Sequence, residues 1–463
     1  MNPPESERLA DHSITPETIA QYDSRIPRYT SYPTVPFWSH QFGPTQFGHH
    51  IETHSHQSEK PLSLYVHIPF CGKRCLFCAC NVIVTRKDDV AEAYLDVLER
   101  EILLARSHYK GTGRVIQLHL GGGTPNFLDQ RQMDRLLAIL ESAFDFSPSA
   151  ERSIEIDPRV ATPESIHALY HHHRYNRISF GVQDLHDETQ FAIGREQARD
   201  ITFRNVEAAR KAGFSSVNID LIYGLPQQTA QSWEETLQGI LQLRPDRIAL
   251  YNFAYLPERL SHHKFLDPAT LPERDLKVSM FMRAHDCLVS NGWNFIGMDH
   301  YALHTDSLSK ALSTQTLRRN FMGYTTLKGT NLLGFGVSAI SDFEGAFAQN
   351  VKKLTTHRSL IGEGLLPVEQ GMVLSSDDLL RRHCVESVMC NGVLSFNTPE
   401  LQVILQESLP ALQQLEAEGL LRMQNATLFV TLKGRVFLRN IAVVFDAYLK
   451  NKPTNRPMFS RSV

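Results

Sequence analysis

The 463-residue sequence lacks several features that would narrow its class at once. It has no apolar run of about 18 residues, so it contains no predicted membrane-spanning helix. Basic residues number 47 and acidic residues 50, and the net charge of -3 indicates no dominant basic face for nucleic acid. The start of the chain lacks the basic and apolar regions of a signal peptide, so we expect a cytoplasmic protein.

The composition is that of a soluble globular protein, with 42% hydrophobic and 21% charged residues. Its seven cysteines are unevenly distributed along the chain. Cys71, Cys75, Cys78 and Cys80 fall within one short segment, whereas Cys287, Cys384 and Cys390 lie far downstream. In a reducing cytoplasm such a cluster is typical of a metal site rather than a disulfide framework.

Short apolar runs alternate with longer amphipathic segments over residues 61–255. The predicted strands are Leu62–Ile68, Val115–Leu120, Arg152–Ile156, Arg177–Val182, Ser216–Ile222 and Arg247–Tyr251. The predicted helices are Asp89–Ser107, Asp129–Ala143, Pro163–His172, Asp200–Ala212 and Ala230–Leu243. This alternation predicts an α/β fold: an open, partial (β/α)6 barrel of the TIM type, in which ligands bind at the carboxyl ends of the strands.

Three domains are predicted: an N-terminal arm over 1–60, the partial barrel with its extension over 61–345, and a mostly helical domain over 346–463. After the barrel we expect a helix at Glu273–Asn291 and a strand near Trp293–Ile296. The last domain is predicted to be winged-helix-like, with a helix at Pro399–Glu418, a hairpin at Leu421–Thr431 and a helix at Lys433–Leu449. Without a basic recognition helix, it is interpreted as a lid or packing domain.

Cys71, Cys75 and Cys78 have C-x3-C-x2-C spacing and directly follow the first predicted strand. Three thiolates on one loop can hold three irons of a [4Fe–4S] cube and leave the fourth iron open, whereas electron-transfer cubes use four cysteines. The alternative is a zinc site with Cys80 as the fourth ligand. The sequence has no second cysteine knuckle, which favours iron and sulfide.

Polar and glycine residues follow other predicted strands. Gly121–Gly123 and Thr124 come after the second strand, where the backbone of a glycine turn can approach a ligand closely. Glu155, Gln183 and Asp220 stand where later strands should end. Because a charge within an apolar strand is costly unless it is paired or functional, these positions predict a site at the barrel mouth.

The segment C-x3-C-x-Phe-C, with Phe77 before the third cysteine, resembles the radical S-adenosylmethionine (SAM) superfamily. The resemblance implies that Cys71, Cys75 and Cys78 bind a [4Fe–4S] cluster. It also implies that the amino and carboxylate groups of SAM chelate the open iron, and that reductive cleavage yields a 5′-deoxyadenosyl radical. The glycine turn resembles the motif that holds the aminoacyl end of SAM.

Further segments resemble the oxygen-independent coproporphyrinogen III dehydrogenases, from about residue 25 to the terminal Phe-Ser-Arg. They are Arg28–Thr34, Gly194–Gln197, Phe295–His300, Arg319–Thr326 and Gly336–Ser341. The resemblance implies oxidative decarboxylation of two propionates of coproporphyrinogen III to vinyl groups, giving protoporphyrinogen IX. It also implies an electron donor and acceptor that the sequence does not identify, and a monomer.

The family pattern implies two bound SAM molecules. The cluster-bound SAM would contact Tyr65, Gly122, Glu155 and Ile340. The second would contact Phe77, Gly123, Thr124, Gln183, Arg195, Asp220 and Ala254. Arg28 and Arg159 are candidates for substrate carboxylates. Ala79 departs from the glycine usual in the family, and its methyl group would be costly if φ is positive there.

Two other functions share parts of this pattern. A haem chaperone related to the dehydrogenases generally lacks the fourth cysteine, which is Cys80 in this chain, and the N-terminal Arg-Tyr-Thr-Ser-Tyr-Pro segment, and both are present. A radical SAM methyltransferase would share the two-SAM arrangement but not the terminal segments. The sequence therefore favours the enzyme.

Overall fold

The computed structural model describes residues 14–56, 58–450 and Phe459. The described chain forms two compact units. Unit I comprises Trp38–Asp220 and Gly329–Leu374. Unit II comprises 14–37, Leu221–Lys328, 375–450 and Phe459. This grouping follows packing rather than chain order, and the predicted domain limits at 60 and 345 stay a prediction.

The strands and helices are numbered in chain order. The strands are β1 Leu62–Ile68, β2 Phe70–Cys71, β3 Ile83–Val84, β4 Val115–Gly122, β5 Phe146–Ile156, β6 Arg177–Gln183, β7 Ser216–Tyr223, β8 Arg247–Asn252, β9 Trp293–Gly297, β10 His300–Leu303, β11 Arg318–Asn320, β12 Gly323–Thr325, β13 Asn331–Phe335, β14 Ile340–Phe343, β15 Ala346–Asn350, β16 Val368–Val373, β17 Val393–Ser395, β18 Leu421–Gln424 and β19 Thr427–Val430. The helices are α1 Pro16–Tyr22, α2 Pro44–Ser55, α3 Asp88–His108, α4 Gln130–Ala143, α5 Pro163–His171, α6 Asp187–Ala192, α7 Arg199–Ala212, α8 Ala230–Leu243, α9 Arg274–Ser290, α10 Ser307–Ser313, α11 Leu354–Gly362, α12 Ser376–Glu386, α13 Pro399–Ala417, α14 Leu432–Val436, α15 Leu438–Ala442 and α16 Ala447–Lys450.

The sheet of unit I has the strand order β16-β15-β14-β13-β1-β4-β5-β6-β7. β1 is parallel to both of its neighbours, β13 and β4, and β4 and β5 are parallel to each other. β1 lies well inside the sheet and six of its seven residues are buried. A strand covered on both faces has to be nearly continuously apolar. The carboxyl ends of these strands therefore lie along one edge, where the site residues are found.

The predicted (β/α) alternation is confirmed, and the local sequence explains where each helix begins and ends. Asp129 accepts a hydrogen bond from Gln132 N–H at the start of α4, and Thr162 does the same for Ser165 at the start of α5. α7 ends at Gly213, whose φ of 108° suits a residue without a side chain. These caps place the helix boundaries within one or two residues of the predicted ones.

In unit II, β10 pairs antiparallel with both β8 and β9. The predicted helix before β9 is confirmed as α9, and the predicted terminal hairpin is confirmed as β18 and β19. The predicted single helix Lys433–Leu449 is wrong: α14, α15 and α16 replace it. Phe437 leaves the helical region with ψ 30° while its buried ring packs 4.6 Å from that of Tyr22. Tertiary packing there outweighs helix propensity.

Within the predicted arm of residues 1–60, the described residues 14–56 and 58–60 are more ordered than a polar arm, and residues 1–13 and 57 lie outside the described residues. Tyr29 and Tyr32 are buried in unit II, and the Tyr29 hydroxyl donates to Asp446 at 2.9 Å. α1 and α2 were not predicted. Among the described residues, no helix combines the length and hydrophobicity that a membrane crossing requires.

Candidate active site

The cysteine loop of unit I leaves the carboxyl end of β1 and is closed at its base. Ile83 N–H donates to the Pro69 carbonyl at 2.7 Å, and Thr85 N–H donates to the Cys71 carbonyl at 3.0 Å. Inside this closure, Cys71 Sγ lies 3.2 Å from Thr124 Oγ1, the residue that follows the glycine turn. The loop and the glycine turn thus meet, as their positions after neighbouring strands predicted.

Two guanidinium groups approach the buried thiol of Cys75. Arg195 Nη1 lies 3.4 Å and Arg159 Nη2 3.5 Å from Cys75 Sγ. Asp157 holds both arginines, with its oxygens 2.6 Å from Arg159 Nη2 and 3.4 Å from Arg195 Nη2. The positive charge stabilises an anionic sulfur. The structure places Arg159 at the cysteine loop, engaged with Asp157 and Cys75, and its role as a substrate-carboxylate ligand stays a prediction.

The remaining thiols of the loop differ from one another. Burial raises the pKa of Cys71 to about 11. A hydrogen bond from Cys80 lowers the pKa of Cys78 to about 6, and the same bond raises the pKa of Cys80 well above its usual value. Cys80 is exposed and donates to Cys78, so the structure already distinguishes it from the three predicted ligands.

The glycine turn at the end of β4 has room for backbone only. Gly122 has a φ of 120°, and a Cβ there would lie 2.8 Å from the His67 ring. A Cβ on Gly123 would lie 2.7 Å from the Pro69 carbonyl oxygen, whereas Gly123 N–H donates to Ile68 O at 2.8 Å. The glycine turn therefore packs closely against the carboxyl end of β1.

Tyr65 and His67 are two residues apart on β1, so their side chains project from the same face of the strand. His67 Nε2 is 3.0 Å from the Asn81 carbonyl, which can only accept, so Nε2 carries the proton. His67 Nδ1 is then the acceptor for the Tyr65 hydroxyl at 3.1 Å. Burial lowers the pKa of His67, which keeps this ring neutral and its tautomer fixed.

Glu155 on β5 is a carboxylate with two hydrogen-bonding neighbours, Gly122 and His119. It accepts from Gly122 N–H at 3.1 Å and lies 3.3 Å from His119 Nε2. Burial alone would raise the pKa of Glu155, but hydrogen bonds from His119 and Gly122 outweigh it and hold the pKa below the usual value. Glu155 is therefore ionised at neutral pH.

Asp220 on β7 has the opposite character. Burial, followed by the nearby charge of Glu155, raises the pKa of Asp220 to about 7, although Asn218 donates to it at 2.9 Å. The two carboxyls thus differ in protonation around pH 7 while belonging to one face of the sheet. Opposed environments of this kind are common at functional sites.

Gln183 and Arg195 meet above Gly181 on β6. A Cβ on Gly181 would lie 2.9 Å from Gln183 Nε2 and 3.1 Å from Arg195 Nη2, and Arg195 donates to the Gly181 carbonyl at 2.6 Å. Gln183 has a φ of 70°, an unusual backbone for a residue with a side chain. Arg195 Nε is buried without a hydrogen-bond partner among the described residues.

The other predicted residues are placed less closely. Gly334 on β13 is the register partner of Tyr65, and a Cβ on Gly334 would collide with the backbone of Ile340, which places Ile340 against β13. Phe77 is half-buried within the cysteine loop. Ala254 belongs to unit II, where it lines a cavity of about 510 Å³.

The sequence analysis did not predict the buried hydrogen-bond network around Glu101. Glu101 on α3 is 1% exposed and receives Gly336 N–H at 3.0 Å, Asn350 Nδ2 at 2.7 Å and His357 Nε2 at 2.8 Å. Tyr94 on the same helix donates to the His67 carbonyl at 2.9 Å. Glu101 follows Tyr94 by two helical turns, so it stands on the predicted apolar face. A carboxylate on the apolar face of this helix was the feature of the sequence that could have indicated a buried network.

The substitution at Ala79 causes no backbone strain. Ala79 is not among the described non-glycine residues with positive φ, and it is exposed. The free-energy cost of a methyl group at a positive φ therefore does not arise at Ala79.

Comparison with known proteins places this site in a family. The profile of the Radical SAM superfamily matches residues 65–240. The chain is 41% identical to the oxygen-independent coproporphyrinogen III oxidase of Escherichia coli (strain K12), covering 96% of this chain and 97% of that protein. It is 40% identical to the Synechocystis oxidase, again over 96% of this chain and 97% of the relative. It is 38% identical to that of Pseudomonas aeruginosa, over 96% and 98%.

A solved structure supports the same assignment. The coproporphyrinogen III oxidase HemN of Escherichia coli, described as a radical SAM enzyme, is 40% identical and superposes with a TM-score of 0.87. The match covers 92% of this chain and 100% of that structure. Radical SAM enzymes use a [4Fe–4S] cluster and SAM. On this full-length similarity, the chain belongs to the oxygen-independent coproporphyrinogen III oxidases of the radical SAM superfamily.

Proposed function

We propose that this protein oxidatively decarboxylates two propionate side chains of coproporphyrinogen III to vinyl groups and so forms protoporphyrinogen IX. The observation that carries the proposal is similarity at about 40% identity along nearly the whole chain to enzymes named for this substrate. The proposal includes an electron donor, an electron acceptor, a cytoplasmic location and a monomeric state, on the family resemblance.

The residues of the cysteine loop fit the cluster that the family uses. Cys71, Cys75 and Cys78 offer three sulfur donors, and the N–H groups of Arg159 and Arg195 lie at Cys75, where they would offset the charge of a thiolate-bound cluster. Cys80 is the exposed one of the four thiols, and the family pattern implies the other three as ligands. We therefore assign the three irons to the first three thiols.

The residues around the glycine turn fit the charged ligand that the family uses. For the cluster-bound SAM we propose Tyr65, Gly122, Glu155 and Ile340 as contacts. Glu155 is ionised and would attract a cationic group, and the bare backbone at Gly122 permits close approach. Tyr65 is held in one orientation by His67, so its ring is a fixed wall beside this position.

A second SAM is proposed on the other residues that the family pattern names. They are Phe77, Gly123, Thr124, Gln183, Arg195, Asp220 and Ala254. Arg195 and Gln183 converge above Gly181, and Arg195 keeps an unused buried N–H that would suit a carboxylate. Asp220, with its raised pKa, can accept or donate to a ribose hydroxyl near neutral pH.

When bound, the cluster and SAM supply a 5′-deoxyadenosyl radical that abstracts hydrogen from the propionate β-carbon. The protein's own residues orient the ligands and exclude water. The neutral His67 carries its proton on Nε2, where the Asn81 carbonyl accepts it, and its other ring nitrogen accepts from the Tyr65 hydroxyl.

The test is anaerobic turnover of coproporphyrinogen III with SAM and a chemical reductant, using protein reconstituted with iron and sulfide. The expected result is a product with two vinyl groups by mass spectrometry and SAM cleavage in proportion. Haem binding without SAM cleavage would contradict the proposal and indicate a chaperone. Methyl transfer from SAM to the substrate would contradict it in favour of a methyltransferase.

A further inference from the structure

Arg319 of unit II is a buried cation, and two of its three guanidinium nitrogen atoms have no hydrogen-bond partner among the described residues. Its residue exposure is 8%, and neither Nε nor Nη1 has a hydrogen-bond partner among the described residues. No ion pair joins Arg319 to a described carboxylate. A buried, unpaired guanidinium is costly, and such groups are normally paired or hydrogen-bonded. An unpaired one indicates a missing anionic partner.

Arg319 belongs to a cluster in which three aromatic rings lie between two guanidinium groups. Its guanidinium carbon lies 4.7 Å from the ring centroid of Tyr324, its cross-strand partner on the β11–β12 hairpin. The Tyr324 ring lies 5.3 Å from His300, which lies 6.3 Å from Tyr251. The Tyr251 ring carries Arg28 at 5.6 Å. His300 Nδ1 is also buried without a hydrogen-bond partner among the described residues.

The cluster has more positive than negative charge. Arg28 is paired with Asp299, and no described carboxylate takes the corresponding position for Arg319. Burial lowers the pKa of Arg28 and the neighbouring Arg319 lowers it further, as expected for two cations in one apolar setting. His300 is kept neutral, because burial and then Arg319 and Arg28 hold its pKa well below the usual value.

Arg28 connects this cluster to open space. It lines the 510 Å³ cavity of unit II, a volume typical of small-molecule sites. The lining carries more basic than acidic side chains. The basic ones are Arg25, Arg28, Arg259, Arg274 and Lys277, and the acidic ones are Asp23 and Glu258. Tyr223, Phe253 and Tyr255 add apolar surface. An apolar body with several carboxylates would suit this lining.

We propose that Arg319, together with Arg28, forms a carboxylate-binding site in unit II that receives a propionate of a polycarboxylate tetrapyrrole. The bidentate fork of a guanidinium matches a carboxylate, and the ligand would supply the anion that Arg319 lacks. The identity of the ligand rests on the proposed function, whereas the anion site rests on the unpaired guanidinium. Arg319 is thus a specificity-determining residue rather than a part of the radical chemistry.

The test compares Arg319→Met and Arg319→Lys with wild-type enzyme, each reconstituted anaerobically. Coproporphyrin III, the stable oxidised tetracarboxylate, is the binding probe, and its Kd is measured by fluorescence. Arg319→Met is expected to raise this Kd, and the KM for coproporphyrinogen III, at least about tenfold, as for loss of one charged hydrogen-bonded pair. Arg319→Lys should recover part of the loss. Substrate-free SAM cleavage should be unchanged.

Stability distinguishes a ligand site from a structural role. Removal of an unpaired buried charge should leave Tm unchanged or higher in Arg319→Met, whereas loss of a structural cation would lower it. Arg283→Met is the matched control: Arg283 is half-exposed and paired with Glu234, and its loss should leave Kd unchanged. An unchanged Kd and KM in Arg319→Met, or a lowered Tm, would overturn the inference. If wild-type enzyme fails to convert coproporphyrinogen III, the function fails, and the Kd series still decides the anion site.

Discussion

The cysteine edge of unit I and the arginine cluster of unit II differ in how much of their buried charge is paired. In unit I, Asp157 holds two arginines and Glu155 receives two donors. In unit II, Arg319 and His300 keep buried nitrogen atoms without partners among the described residues. The first region is electrostatically prepared for a ligand that the cysteines hold. The second is incomplete by itself, so its ligand would have to bring the opposite charge.

The sharpest way to break this comparison is to remove a thiol of the loop. Cys71→Ser, Cys75→Ser and Cys78→Ser should each lose the broad visible absorption of the cluster, and turnover should fall to background. Cys80→Ser is the control, since Cys80 is exposed and only hydrogen-bonded to Cys78. It should keep the absorption. Loss of the cluster in Cys80→Ser alone would refute the ligand assignment.

The second prediction tests whether unit I depends on its satisfied charges. Glu101→Ala should lower the free energy of unfolding by about 3–5 kcal/mol, because Gly336, Asn350 and His357 lose a shared buried acceptor. Urea unfolding measures it. Glu99→Ala on the same helix removes an exposed pair with Arg135 and should cost about 0.5 kcal/mol. Equal effects would mean that the network is not a support.

The third prediction tests the close approach at the glycine turn. Gly122→Ala should cost roughly 1–3 kcal/mol and weaken SAM binding, because φ is 120° and the new methyl would meet the His67 ring. Equilibrium dialysis of SAM on reconstituted protein measures the affinity. Gly72→Ala is matched: a Cβ there meets nothing within 4 Å, and its SAM affinity should equal that of wild type.

The smallest effect concerns pH. The pKa of Asp220 is raised to about 7 in the folded protein, so its contribution to stability is full below its unfolded pKa and is lost as pH rises through 7. Asp220→Asn should remove that loss, so its stability relative to wild type should rise between pH 4 and pH 8. Urea unfolding at both values checks it. Asp145→Asn, at an exposed carboxyl, should show no such pH dependence.

The secondary-structure elements that depend on local sequence pattern could be predicted from the sequence. All six strands and five helices of the β/α alternation form, because apolar runs, caps and glycine ends act over a few residues. Gly122 and Glu155 lie together because they stand at the carboxyl ends of neighbouring strands of one sheet. The prediction failed where distant residues decide, as at Phe437, whose contact with Tyr22 interrupts the last helix.

Long-range pairing also explains the functional residues that were missed. Nothing near Arg319 in the sequence shows that it lacks an anionic partner, since that depends on which carboxylates the fold brings near. Arg159 was expected to be available, yet Asp157, two residues earlier, engages it. The roles of the SAM-contacting residues stay predictions, because they depend on ligands that the chain alone does not contain.

The closed base of the cysteine loop has a consequence for cofactor assembly. Its ends are joined by the Ile83–Pro69 and Thr85–Cys71 backbone bonds, and Asn81 is fastened to β1 through His67. A segment of this length in an open chain would lose conformational entropy on closing around a ligand. In this loop, folding has already removed that freedom. The iron and sulfide can therefore enter a loop of fixed shape, and little of their binding free energy is consumed in ordering the chain.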